Sequence, residues 1–366
     1  MSFPKEGIID KFDFSGSYVG YDDKKTGLIN GTFTLIFKGA CGTEKKYILQ
    51  KINTSVFKEP AALMENIEKV TKYIQKMAVA QGKNPARSTL NVIKTKDGKL
   101  YYVDDEGAYW RAYDFIEGCI TCDKVEKPED FYSAGVALGI FQKTLDSYPS
   151  EELAETIKNF HNTPSRYGDF CKAIEENRAG RKDSVEDEIA FFKARKSFYG
   201  IVTDGIAKGD IPLRVTHNDT KFNNVMLDKE TGEVVCLIDL DTVMPGSALY
   251  DFGDSIRSGT NTAAEDEVDL EKVCFDAELF EAYVNGYMSE MREYLTDTER
   301  RLLADSAILM TLECGMRFLA DYLNGDIYFS TKRVNHNLDR ARNQIKLAYE
   351  MEKNIEKMRR IVNSAL

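Results

Sequence analysis

The segment His217-Asn218-Asp219-Thr220-Lys221-Phe222-Asn223-Asn224 sets a carboxylate and an amide five residues apart, in the spacing H-x-D-x-x-x-x-N. That spacing suits phosphoryl transfer to an alcohol. Such a reaction needs one carboxylate to accept or orient the hydroxyl proton, and oxygen ligands for a hard divalent cation such as Mg²⁺. Asp219 is the candidate for the first role, and Asn224 offers a neutral amide oxygen for the second. A further metal carboxylate belongs at the end of the strand that follows. The apolar run Cys236-Leu237-Ile238 delivers Asp239 there, twenty residues past Asp219. Lys221 stands two residues after the presumed base, where an ammonium group can neutralise charge on the migrating phosphoryl group. His217 reads as a brace for the loop.

These residues need elements to position them. The stretch 214–241 reads as strand, loop, strand, a Lys-Glu-Thr-Gly turn and strand. It interrupts a region, from about Lys127 onward, that is otherwise helical: 129–146, 184–207, 276–294, 296–323 and 336–363 carry apolar residues at three- and four-residue intervals. The first hundred residues read differently. Residues 26–37 and 45–52 are β-type runs, 61–77 is helical through Leu63, Ile67, Val70 and Ile74, and Asp97-Gly98 marks a hairpin between 88–95 and 99–104. A last strand, 108–118, ends at Gly118, and its Trp110, Tyr113 and Phe115 read as one core face. The expectation is an α+β, bilobal fold with an N-lobe over 1–117 and a C-lobe over 118–366, joined once and leaving a cleft.

Composition narrows the partners. A net charge of −11 disfavours a nucleic-acid or anionic-membrane surface, and no run approaches the ~18 apolar residues of a membrane span. The N-terminus has interspersed charges rather than a secretory core, and the 7 cysteines are an odd number in a chain large enough to need no staples, so cytoplasmic is the default expectation. Cys119 and Cys122 form a C-x-x-C without a second ligand pair and read as reduced thiols, while His161 and His336 read as surface or capping residues.

The strings HNDTKFNN and CLIDLDTVMPGSALYDFGDSIR resemble the aminoglycoside phosphotransferase and choline kinase superfamily, most closely its N-acetylhexosamine 1-kinases. The resemblance extends to 47–57, 108–118, 313–329 and 336–347, nearly the whole chain. It implies a protein-kinase-like fold, a small β-rich lobe before a larger helical one. It also implies transfer of the ATP γ-phosphate to the anomeric hydroxyl of N-acetylglucosamine or N-acetylgalactosamine. By that resemblance Asp219 is the base, Asn224 and Asp239 hold Mg²⁺, and Arg317 lines the sugar pocket. Asp241, Leu28 and Ser258 are further substrate-side candidates. Gly27, Asn30, Thr32 and Gln50 are placed on the phosphates of the nucleotide, and Phe115 and Glu117 on its base. Asp251-Phe252-Gly253 spells the D-F-G of protein kinases, but it lies thirty-two residues past Asp219, after Met244-Pro245-Gly246-Ser247. Asp251 is therefore read as a helix-start residue that hydrogen-bonds catalytic-loop backbone.

Three positions depart from the pattern. Gln50 stands where a phosphate-gripping lysine is common, with Lys51 on the opposite strand face. Leu28 replaces an expected histidine, and Ser258 an expected aromatic residue. Glu65 or Glu68 is a candidate to orient the phosphate-side strand. For Arg317 the alternatives are an acceptor partner or a salt bridge to Asp321, one turn on. Rival functions are a kinase for an aminoglycoside, choline or homoserine-type acceptor, and a nucleotide-binding scaffold without turnover. Arg257 and Arg317 in the pocket would favour a neutral sugar over a cationic acceptor.

Overall fold

The computed structural model describes residues 6–26, 30–122 and 124–365. Along the chain come α1 (Glu6–Ile9), β1 (Ser17–Thr26), β2 (Gly31–Lys38), β3 (Glu44–Lys51), α2 (Pro60–Ala80), β4 (Val92–Ile93), β5 (Tyr102–Val103), β6 (Tyr109–Asp114) and β7 (Cys119–Ile120). They are followed by α3 (Pro128–Leu145), α4 (Thr163–Glu176), α5 (Glu186–Lys193), α6 (Ile201–Lys208), β8 (Arg214–Thr216), β9 (Val225–Asp228), β10 (Val234–Leu237) and β11 (Met244–Gly246). The chain closes with α7 (Ala248–Gly259), α8 (Ala277–Met291), α9 (Asp297–Asn324) and α10 (His336–Ser364). Among the described residues no helix is long and apolar enough to cross a membrane.

Two compact units result. One holds the described residues up to Ile120 together with Glu151–Ile157 and Met226–Met244; the other holds Thr121–Ser150, Lys158–Val225 and 245–365. The first is built on an antiparallel sheet of order β1-β2-β3-β6-β4, with β5 beside β6. Strand alternation sorts its side chains. Leu35, Phe37, Tyr47, Leu49, Trp110 and Ala112 meet Ile8, Ile9 and Phe12 in one apolar cluster. Full burial of Leu35 and Leu49 contributes about 1.5–3 kcal/mol each. The odd-numbered residues of β6 face the other way, so Tyr113 does not share Trp110's face. The register pairs Trp110 with Lys51 but Arg111 with Gln50 and Tyr113 with Ile48. Period two, counted from 110 to 113, puts those rings on opposite sides.

β1 escaped the sequence reading because four consecutive charges, Asp22 to Lys25, hide its alternation. It is an edge strand with irregular register, and charged residues suit an edge that must not recruit another chain. The helix α2 begins on Pro60, which fits a first-turn position lacking a hydrogen-bond partner, and buries Leu63, Met64, Ile67, Val70 and Ile74 at helical spacing. Its Asn66 grips the backbone of two distant segments of this unit, bonding Ala154 through both amide atoms and donating to the Val243 carbonyl at 3.0 Å.

In the second unit helices pack at close range. A Cβ at Gly135 or Gly286 would collide with the backbone oxygens of Tyr283 and Tyr132, so glycine is what lets α3 and α8 touch along their backbones. The segment 184–207 is two helices rather than one. A turn at Lys196–Phe198 separates them, and Arg195 ahead of it makes a two-point ion pair with Glu352 of α10, at 2.6 and 2.7 Å. α4 was not anticipated either. Its signal is Asn162, whose side chain caps Ser165 N–H, followed by Pro164 in the first turn. The long α9 opens on a reciprocal cap between Thr296 and Glu299, and Glu299 also holds Arg214 at the start of β8. That pair ties the strand leading into the His217–Lys221 loop to the start of α9.

Candidate active site

In the helical unit, β8 ends at Thr216 and the chain enters the loop His217–Lys221. Asn218 takes φ +64, a left-handed conformation that a side chain resists and that Asn tolerates better than most residues. The helix α7 compensates by supplying partners for the loop backbone. Asp251 accepts hydrogen bonds from His217 N–H at 2.9 Å and Asn218 N–H at 2.7 Å, and Gln142 N–H at 3.0 Å completes its shell. Asp254 accepts from Thr220 N–H, and Ser255 Oγ donates to the Thr220 carbonyl. The expected role of Asp251 as a loop anchor is what the geometry shows. The cap of α7 itself is Ser247, whose Oγ accepts from Leu249 N–H. Burial pushes the Asp251 carboxyl above its ordinary range, partly offset by these donors.

On this frame Asp219, Lys221 and Asn224 come together. Lys221 Nζ lies 2.7 Å from Asp219 Oδ1, and the Asp219 charge holds the ammonium well above its ordinary pKa. The Asn224 amide nitrogen donates to the Asp219 backbone carbonyl at 2.8 Å. Among the described residues no hydrogen bond reaches the amide oxygen of this buried side chain. Asp254 is pushed up by burial, but Arg257 and Lys221 outweigh this and hold it below the usual carboxylate range.

Arg257 does not serve as a pocket cation. It is buried and fully engaged, with Nε 2.9 Å from Asp254 and Nη1 3.0 Å from Glu265. Ser258, half-buried at the end of α7, turns its hydroxyl back to the Ser255 carbonyl. Arg317 is placed differently. It is half-buried, with its guanidinium carbon 5.3 Å from the Phe160 ring centre, 5.9 Å from that of Tyr328 and 5.6 Å from that of Phe329. The salt bridge to Asp321 does not form. Asp321 instead accepts from the backbone N–H groups of Ile327, Tyr328 and Phe329, folding the segment after α9 back upon it. Arg166 lies against the same Phe160 ring, at 6.0 Å.

In the sheet unit, Asp239 follows β10 with φ +61, exposed to solvent. A side chain in the left-handed region costs on the order of 1 kcal/mol or more and marks a position held for function or for a tight turn. Two residues on, Asp241 is buried at 4% exposure and faces Arg111, itself 2% exposed. Arg111 Nη2 donates to Asp241 Oδ2 at 2.9 Å, and Nη1 pairs with Oδ1 at 2.5 Å. Burial works against the Arg111 charge, but Asp241 and then Asp239 hold it protonated.

The network continues through the phosphate-side candidates. Gln50 Oε1 accepts from Arg111 Nε at 2.9 Å, and Gln50 Nε2 donates to Thr32 Oγ1 at 3.0 Å. Asn30 donates to Asp241 at 2.7 Å and accepts from Asn53 N–H at 2.9 Å. Gln50 and Asp241 thus both bond one buried arginine that sequence reasoning passed over, and Thr32 and Asn30 stand one bond further out, on Gln50 and Asp241 respectively. The arginine's only signal was the β3/β6 register opposite Gln50. Lys51 lies over Trp110 on the other sheet face, and Glu68 pairs with Lys72 and Lys94 rather than with β3. The Glu117 carbonyl accepts from Arg87, and Phe115 is half-buried beside Lys46. Gly27 and Leu28 lie outside the described residues. Asn224 in the helical unit carries an amide oxygen and Asp239 in the sheet unit a carboxylate oxygen, each a donor type that suits a hard cation such as magnesium. All 7 cysteines are free thiols.

Residues 42–294 match the model of the Phosphotransferase enzyme family. Among solved structures, the chain is similar to an aminoglycoside phosphotransferase from Alicyclobacillus acidocaldarius. That match has 12% identity and a TM-score of 0.64, covering 100% of this chain and 98% of the other. It is also similar to a microcompartment-associated aminopropanol kinase, at 14% identity and TM-score 0.62 over 96% and 97% of the two chains. A third similar structure is a spectinomycin phosphotransferase in complex with ADP and spectinomycin, at 14% identity and TM-score 0.55 over 91% and 92%. At such identities the likeness carries the fold, which is the α+β kinase-like one, with an antiparallel sheet first and a helical part after it.

Proposed function

This chain belongs to the phosphotransferase enzyme family, and on that premise we propose that it transfers the γ-phosphate of ATP to the anomeric hydroxyl of an N-acetylhexosamine. The observation that carries the transfer chemistry is the clamped loop, in which Asp219, Lys221 and Asn224 share one rigid backbone frame. Asp219 orients the acceptor hydroxyl and takes its proton as the new O–P bond forms. Lys221 supplies a fixed positive charge beside it. Asn224 and Asp239 would hold the Mg²⁺ that, when bound, neutralises phosphate charge. ADP in the complex of the spectinomycin phosphotransferase supports a nucleotide donor here.

For the acceptor, the support is Arg317 on its three aromatic faces with Arg166 nearby. Two guanidinium groups disfavour a cationic acceptor, and Glu313, the buried carboxylate one turn before Arg317 on α9, is taken by His161 and Thr163. A neutral polyhydroxylated ring can instead stack on the aromatic surface and accept hydrogen bonds from guanidinium. The test is a panel of N-acetylglucosamine, N-acetylgalactosamine, choline and aminoglycosides with ATP and Mg²⁺, read by ³¹P NMR. An anomeric phosphate on a hexosamine is expected. Phosphorylation of choline or an aminoglycoside alone overturns the acceptor assignment, and nucleotide binding without turnover on any alcohol overturns the enzyme.

Asp239→Ala is expected to remove the gain in ADP affinity that Mg²⁺ provides while leaving metal-free ADP binding nearly unchanged, as measured by titration calorimetry with and without the metal. An equal Mg²⁺ gain in the variant would remove Asp239 from the metal site.

A further inference from the structure

His161 was expected at the surface and is instead 8% exposed, between α9 and the His217–Lys221 loop. Its Nδ1 lies 2.8 Å from Glu313 Oε1 on α9, and its Nε2 lies 3.2 Å from the backbone oxygen of Asn218. Thr163 Oγ1 donates to the other Glu313 oxygen at 2.5 Å. The Asn218 carbonyl belongs to the peptide that leads directly into Asp219. The N–H of that same peptide donates to His217 Nδ1 at 3.3 Å. One peptide plane is therefore gripped at its oxygen by His161 and at its nitrogen by His217, and its tilt decides where the Asp219 side chain starts.

A proton count follows from the partners. A backbone carbonyl only accepts, and so does an ionised carboxylate. Burial disfavours the Glu313 charge, while the Thr163 hydroxyl and the Arg317 guanidinium favour it independently of the ring. Against an ionised Glu313, the acceptors at both ring nitrogens are satisfied together only by a ring that carries hydrogen at each. The other two histidines differ. His217 Nδ1 accepts from Asp219 N–H, and His336 Nδ1 accepts from Lys332 N–H at 3.1 Å, so in each ring Nδ1 faces a donor rather than an acceptor. The groups facing His161 are Glu313 and Arg317 from α9, Tyr250 (rings 5.4 Å apart) and Asp254 from α7, and Thr163 at the start of α4.

We propose that His161 is a positioning residue for phosphoryl transfer, an imidazolium that Glu313 holds in place to fix the Asn218–Asp219 peptide and thereby aim the Asp219 carboxylate. This rests on Asp219 being the base, and the test separates the two. Nitrogen-15 NMR of the intact protein at neutral pH is expected to show one of its 3 histidines with both ring nitrogens protonated and the other two as single tautomers. Three neutral rings would overturn the proposal, whatever the enzyme's activity. His161→Phe is expected to lower kcat by roughly 10- to 100-fold, with acceptor KM and nucleotide Kd within about twofold, because a small misplacement of a reacting group costs rate rather than binding. His161→Gln, whose amide N–H can still reach the Asn218 carbonyl, is expected to recover part of that loss. Unchanged kcat in a folded His161→Phe protein overturns the role. Should that variant fail to fold, Glu313→Gln decides: the imidazolium signature is expected to vanish and kcat to fall, and retention of both overturns the proposal. Absence of turnover in the wild-type protein would count against the assigned reaction and leave the NMR result standing.

Discussion

Replacing Asp219 by alanine is expected to cut kcat by about 10²- to 10⁴-fold, the usual contribution of a positioned acid–base group, while nucleotide affinity changes little. The reason for the split is that the loop is not held by the Asp219 side chain. Its backbone hangs on Asp251, Asp254 and Ser255 of α7, and Asn224 bonds the Asp219 carbonyl rather than its carboxylate. The frame survives the truncation, and what disappears is the oxygen proposed to receive the hydroxyl proton. Lys221 loses the neighbour that raises its pKa, so its ammonium is expected to titrate closer to its ordinary value in the variant. Product-release kinetics and nucleotide calorimetry on the same preparation check both halves. A kcat within a few-fold of wild type would remove Asp219 from the chemistry.

The second large effect is on stability. Arg111→Met leaves the Asp241 carboxylate buried without its guanidinium, and breaking a buried pair from one side costs about 3–5 kcal/mol. Asp241→Asn from the other side leaves a buried guanidinium and is expected to cost a similar amount. Combining Arg111→Met with Asp241→Asn removes both charges, so the double variant should lose clearly less than the two singles together. Arg111→Lys keeps the charge but cannot serve Gln50 and both Asp241 oxygens at once, and it should fall between wild type and Arg111→Met. Chemical denaturation midpoints decide this. An Arg111→Met protein as stable as wild type would show that the pair contributes nothing net.

The contrast between what the residues announced and what they concealed has a physical origin. The placement of Asp219 and Asn224 in one loop was legible from their spacing, and that of Asp239 at a strand end from the apolar run before it. Asp251 was read correctly as a loop anchor because a D-F-G so far downstream fits a helix start better than a metal site. Arg111, His161 and Glu313 were not legible, since their partners are 130, 57 and 152 residues away and no periodicity encodes such pairings. Arg257 misled for the same reason: its neutralising carboxylates, Asp254 and Glu265, only become visible when α7 is wound and the segment after it returns. The missed edge strand and the split of 184–207 are tertiary effects that override local pattern.

Glu313 and Arg317 sit on successive turns of α9, one linked through His161 to the loop proposed to be catalytic and the other facing the aromatic surface proposed for the acceptor. A rigid rod thus carries both duties. Evolving or engineering this scaffold toward a bulkier acceptor by shifting that rod would trade selectivity against turnover, whereas changes confined to the segment after Gly325 can retune recognition without disturbing the reaction's timing.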